Sequence, residues 1–180
     1  MLTALVLAQA IQHTNPALSK ETARQYASYV LTASKKHSLD PWIFQSIISR
    51  ETRWQSVLVR READGSCSVG LGQINGRCTE AVMAPLRDPR VNIFRMGTFL
   101  AHLRSTCRTD CQDLGWLRRY NPGSAAYLAA IQEAVRTHHA QDGQSAVLRV
   151  PAQVPAPRVL RHAPHRAGRD CGLDAGTDHP

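Results

Sequence analysis

One glutamate and a short series of amides and phenols are the residues here whose types and spacing suit chemistry. Phe44, Ile47, Ile48 and Glu51 follow one another in steps of three, one and three, which keeps them on one face of a helix. A carboxyl that prolongs an apolar stripe loses water, and loss of water favours its protonated form. A protonated carboxyl near neutral pH is a general acid. The competing reading is an ordinary surface glutamate paired with Arg50 or Arg53 at a helix end. Downstream, "READGSCSVGLGQINGRC" carries glycines at 65, 70, 72 and 76, where positive φ and close backbone approach are expected. Gln73 and Asn75 in that loop, and Tyr120 and Asn121 further on, offer neutral groups suited to sugar hydroxyls and N-acetyl amides. The sequence holds no Ser-His-Asp set, no Walker loop and no His pair at metal spacing within the domain. His102 stands alone on a helix and reads as structural. No cofactor or metal is expected.

These residues need helices to hold them. Ser19 is a plausible N-cap, and Ala23, Tyr26, Ala27, Val30 and Leu31 recur at helical spacing until His37 and Ser38. Asp40 then caps a second helix with Pro41 at its first position, and this helix carries the Glu51 stripe. "DPRVNIFRMGTFLAHLRS" predicts a third helix with Val91, Phe94, Phe99 and Leu103 roughly on one face. "LGWLRRYNPGSAAYLAAIQEAVRTH" predicts helix, a break at "NPGS", and helix again. Strand signals are confined to a short pairing near the glycine loop. The expected class is therefore all-α. The expected division is an N-terminal segment 1–18, a domain 19–138 and a tail 139–180. "MLTALVLAQA" ends in an A-x-A pattern without a preceding Lys or Arg. It fits a truncated signal peptide, and it equally fits the first turns of a packed helix. The tail is rich in Pro, Arg, His, Gly and Asp without periodicity and reads as disordered.

A chain of 180 residues suffices for one ordinary domain with a sizeable core. Its formal net charge of +8 favours polyanionic partners. A nucleic-acid face would interleave basic and aromatic residues, and only Arg118 and Arg119 beside Tyr120 approach that pattern. No stretch is long enough to cross a membrane. Cys67 and Cys78 bracket the glycine loop, Cys107 and Cys111 bracket "RTD", and Cys171 is left over. In an oxidising compartment these read as two local disulfides, although four cysteines allow three pairings. Neither loop supplies the short CxxC or His spacing of a zinc site.

In order along the chain, "ETRW", "SVGLGQIN", "DPRVNIFRMGTFL" and "RYNPGS" resemble the successive motifs of the soluble lytic transglycosylase family, over about residues 38 to 136. The resemblance implies a lysozyme-like helical domain. It also implies cleavage of the β-1,4 bond between N-acetylmuramic acid and N-acetylglucosamine in peptidoglycan. By the same resemblance Glu51 is the catalytic acid/base. Gly70, Leu71, Gln73 and Asn75 fall on the sugar-contacting loop motif, and Tyr120 and Asn121 on the Tyr-Asn pair beside the acid. Two places depart from the family. Gly72 stands where a methionine is usual, and "NPGS" replaces the commoner Ala-Gly after Tyr-Asn.

A glycoside hydrolase normally needs a second carboxylate, whereas the transglycosylase mechanism needs one. The substrate's N-acetyl group assists, and the same glutamate then acts as base on the C6 hydroxyl to give a 1,6-anhydro product. Goose-type lysozyme shares the fold but adds two aspartates, one before the glycines and one two residues after the loop's glutamine. Asp64 matches the first of these and Asn75 occupies the second, so the lyase is favoured over the hydrolase. Asp64 and its neighbour Glu62 also read as a solvated turn. A non-catalytic peptidoglycan-binding module is the alternative of another class, and it would not need Glu51. The expected protein is a monomer acting on glycan strands, periplasmic or secreted, without nucleic acid or an integral membrane segment.

Overall fold

Thr3 opens the first helix of the computed structural model, its side chain accepting the Val6 N–H. The model describes residues 3–122 and 124–141. The chain divides into two units, Met1–Arg149 and Val150–Pro180, and all described residues belong to the first. Helix α1 (Ala4–Thr14) buries Leu7, Ala8 and Ile11. Helix α2 (Lys20–His37) starts at Ser19, whose side chain accepts the Thr22 N–H, and stops at Ser38 in the left-handed conformation. Helix α3 (Pro41–Glu51) starts at Asp40, which accepts the Trp42 N–H.

Helix α3 differs from the amphipathic element expected. Every residue from Trp42 to Ile48 is buried, because α1, α2 and α6 (Ala125–Gln141) pack around it. A helix buried all round is a core helix rather than a surface one. The Phe44–Ile47–Ile48 stripe is thus one side of a central rod whose last residue is Glu51.

The chain then leaves the helices for a three-stranded antiparallel sheet in the order β1 (Val59–Arg61), β2 (Ser66–Val69), β3 (Ile74–Arg77). It is longer than the single pairing expected near the glycine loop. Val69 opposes Ile74 across the tight connection between β2 and β3. The Cys67–Cys78 disulfide packs with Val69 and Leu86 into a small cluster separate from the main core. Leu86 belongs to α4 (Glu80–Arg87), an element not anticipated, which holds Pro85 near its end.

Helix α5 (Pro89–Ser105) starts at Asp88, whose side chain accepts the Val91 N–H. Its inner face is Asn92, Ile93, Met96, Leu100 and Leu103, so the expected face was turned. Val91 and Phe99 are exposed, and Phe94 is half-buried. Gly97 lies in the inner row because the His37 ring presses there: an added Cβ would come within 2.8 Å of its Cδ2.

The second disulfide, Cys107–Cys111, closes the turn before a 3₁₀ segment, Gln112–Arg119, kinked at Asp113 and Leu114. Helix α6 runs past residue 138 to Gln141. His138 stacks on Trp42 at 4.1 Å between ring centroids, and His139 Nε2 lies 2.5 Å from Asp40 Oδ2. The end of α6 is thereby fastened to the start of α3. Residues 142–180, with Cys171 and most of the segment read as a tail, lie outside the described residues. Among the described residues, no helix is long and apolar enough to cross a membrane.

Candidate active site

Glu51 is the last residue of α3 and is half-buried, more solvated than an extension of the core stripe would be. Immediately after it the backbone turns sharply, with Arg53 at φ 50° and Trp54 at φ 65°. Left-handed backbone at non-glycine residues is strained and persists only where the surroundings enforce it. Trp54 supplies that constraint. Its ring is buried, stacks with Tyr26 at 5.9 Å and donates from Nε1 to Ser49 Oγ at 3.1 Å. The "ETRW" run thus anchors a tight turn and leaves the carboxylate at its rim.

Tyr127 of α6 meets Glu51. Its hydroxyl donates to Glu51 Oε1 at 2.7 Å. Burial, and then the hydrogen bond to Glu51, push the Tyr127 hydroxyl far above its ordinary range. It is therefore a permanently neutral donor, and it holds one carboxylate oxygen in place. The Arg50 guanidinium lies over the same phenol ring, 5.5 Å from its centroid.

Thr52 ties the glycine loop to this helix end. Its hydroxyl reaches Leu71 O at 3.0 Å and Ile48 O at 3.3 Å. Asn92, wholly buried on α5, does the rest. Its Oδ1 accepts the Gly72 N–H at 2.8 Å, and its Nδ2 donates to Val69 O and Leu86 O, each at 2.8 Å. Gly70 is required there: φ is +71°, and an added Cβ would stand 2.3 Å from Asn92 Nδ2 and 2.4 Å from Leu86 O.

Tyr120 donates to Gly72 O at 2.6 Å. Burial, and then the charge of Glu51, raise its hydroxyl well above the ordinary phenol range, so it too stays a neutral donor. Gly72 now has a physical account. A Cβ at that position would meet Met96 Sδ at 2.9 Å and the Tyr120 hydroxyl at 3.2 Å. The space where the resemblance calls for a methionine side chain is held from α5 by Met96.

Structure and sequence reading meet unevenly at this site. Glu51, the Gly70–Leu71–Gly72 backbone and Tyr120 are brought together. Gln73 is buried at φ 47°, and its Nε2 donates to Gly70 O at 3.0 Å and Leu58 O at 3.3 Å. Its Oε1 is buried without a partner. Asn75 is exposed on β3 and donates to Ser66 Oγ at 2.6 Å, so it belongs to the sheet rather than to the turn beside Glu51. Asn121 follows Tyr120, half-buried. Tyr127, Thr52 and Asn92 were missed, although Asn92 interrupts an apolar run and could have drawn notice.

Asp64 and Glu62 each have one carboxylate oxygen engaged. Asp64 Oδ1 accepts the Ser66 hydroxyl at 2.6 Å and its backbone N–H at 2.9 Å, and these bonds lower its carboxyl below 3.8, its ordinary value. Glu62 Oε1 accepts from Ser68 Oγ at 2.5 Å and Arg60 Nε at 3.0 Å. The Ser68 bond first, and Arg60 second, lower it below its ordinary 4.5. Each is a weaker base than a free carboxylate. Their folded-state values are depressed, so the unfolded chain binds more protons below about pH 4.5. The stability they contribute is full above that pH and is lost on acidification. Thermal melts from pH 6 down to pH 3 should show a fall that is smaller in the Ser68→Ala, Ser66→Ala double variant; equal falls would count against these bonds. Among the described residues, no group of three His, Cys, Asp or Glu side chains is placed to hold a metal ion.

Compared with protein-family models, curated proteins and solved structures, the chain matched none.

Proposed function

We propose that the chain is a peptidoglycan lytic transglycosylase. It cuts the β-1,4 bond between N-acetylmuramic acid and N-acetylglucosamine without water, with Glu51 as the single acid/base. The observation that carries this reading is the Glu51 carboxylate at the end of a buried helix, fixed through Oε1 by the Tyr127 hydroxyl and faced by a loop locked through Thr52. With Oε1 engaged, Oε2 is the oxygen that delivers a proton to the leaving glycosidic oxygen. The substrate's N-acetyl group stabilises the oxocarbenium-like centre. The same Glu51 oxygen then takes the proton of the muramyl C6 hydroxyl as that hydroxyl closes on C1.

Asp64 and Glu62 are weakened as bases by their hydrogen bonds to Ser66, Ser68 and Arg60, and Asn75 is an amide. Those facts favour the lyase over a goose-type hydrolase acting on the same bond. Gly70, Leu71, Gln73, Tyr120 and Asn121 would line the sugar-binding side. Two disulfides suit an oxidising compartment, so we place the enzyme in the periplasm or outside the cell.

A non-catalytic wall-binding module would sediment with purified sacculi and leave them intact. The purified protein should instead release soluble muropeptides from sacculi, read by chromatography of the supernatant. Binding without release would leave the module reading in its place.

A further inference from the structure

Arg50 is exposed near the end of α3 and precedes Glu51 directly, and the simplest expectation is an ion pair between the two. None forms. Among the described residues Arg50 has no carboxylate within ion-pair distance. Successive helical residues point about 100° apart, which sets the two side chains on different sides of the helix. Both nevertheless meet one buried side chain, Tyr127 of α6. The guanidinium stands over the ring face, 5.5 Å from the centroid. Glu51 Oε1 accepts the hydroxyl at 2.7 Å.

A cation on the face of the ring and an anion at its hydroxyl act in the same direction. The ring face is negative and attracts the guanidinium, which resists rotation of the phenol away from Glu51. The cation also draws electron density from the phenol, so its O–H becomes a better donor, and interactions in series reinforce one another in a site of low polarity. The positive charge of Arg50 opposes the rise that burial imposes on the Tyr127 hydroxyl. Arg50 thus reaches Glu51 through the aromatic ring and not by direct pairing.

We propose that Arg50 is a positioning residue for glycan cleavage: it fixes the Tyr127 ring, which keeps Glu51 Oε1 engaged and leaves Oε2 for the proton transfer. The role in cleavage rests on the transglycosylase reading above. The linkage from Arg50 through Tyr127 to Glu51 is a property of the protein alone and is testable without substrate.

The test measures kcat and KM on soluble glycan strands for the full chain and for Arg50→Met, Arg50→Lys, Tyr127→Phe and the Arg50→Met, Tyr127→Phe double variant. Arg50→Met should lower kcat about two- to fivefold, the scale of an exposed cation–ring contact, with KM and melting temperature close to those of the parent. Arg50→Lys keeps a cation over the ring and should retain most of the activity. In the Tyr127→Phe background, where the hydroxyl is gone, Arg50→Met should cost nothing further, since residues acting in one chain do not add. With tyrosine carrying ¹³C at Cζ, the signal assigned to Tyr127 by its loss in Tyr127→Phe should move in Arg50→Met and stay near its place in Arg50→Lys. Equal losses in the two backgrounds, a change confined to KM, or a Tyr127 signal indifferent to Arg50→Met would overturn the proposal. A parent chain that cuts no glycan would instead defeat the transglycosylase reading, and the Tyr127 signal would still decide the linkage.

Discussion

Glu51→Gln should fold normally and release soluble fragments from sacculi at least about a hundredfold more slowly than the parent, the scale of a lost general acid/base. The substitution keeps the shape of the side chain and its acceptor oxygen, so the Tyr127 hydroxyl retains a partner in place of Glu51 Oε1. What it removes is the exchangeable proton. Among the described residues, Asp64 and Glu62, the carboxylates of the competing hydrolase reading, are held as weaker bases by Ser66, Ser68 and Arg60. Circular dichroism and an unchanged urea midpoint would establish that the fold persists. A variant that keeps most of the parent activity would remove Glu51 from the chemistry.

Asn92→Leu should cost about 3 kcal/mol or more, because three buried backbone groups lose their partner and each unpaired group costs about 1–3 kcal/mol. Those groups are the Gly72 N–H, Val69 O and Leu86 O. Leucine is close to asparagine in size, so water gains little room to replace the amide. At an ordinary dependence of about 1–3 kcal/mol per molar urea, the unfolding midpoint should fall by about 1 M or more. Activity should fall further than stability explains, since the loop that faces Glu51 is held by this side chain. An unchanged midpoint would show that Asn92 is not the clamp.

Local signals in the sequence sufficed for the starts of α2 and α3. Ser19 and Asp40 each accept a backbone N–H at the beginning of a helix, because capping depends on a few adjacent residues. Tertiary context decided the rest. The face of α5 was misread because Val91 and Phe99 are large and apolar yet exposed, while Asn92 and Gly97 are buried. Asn92 is inside because it pairs backbone from two other elements, and Gly97 because the His37 ring needs the space. Neither reason appears in hydropathy.

Helix α4 was obscured by Pro85, which reads as a breaker but sits near the helix end. At the site, Glu51 and the glycine loop were visible as residue types at telling spacings. Tyr127 was not, since only the crossing of α6 over the end of α3 brings its hydroxyl to the carboxylate, 76 positions away in sequence. The end of α6 was set three residues short because composition changes at His139, although that imidazole is fastened to Asp40.

The central claim, cleavage by one carboxylate without water, is tested most directly by the mass of the released glycan ends. A tethered C6 hydroxyl has an effective concentration that bulk water cannot match, with effective molarities reaching about 10⁵ M or more in well-oriented cases. Mass spectrometry of the soluble products should show muropeptides ending in 1,6-anhydro-N-acetylmuramic acid, lighter by one water than hydrolytic products and resistant to borohydride reduction. Products that are chiefly reducing and of the hydrated mass would contradict the account and make Asp64 the next residue to replace.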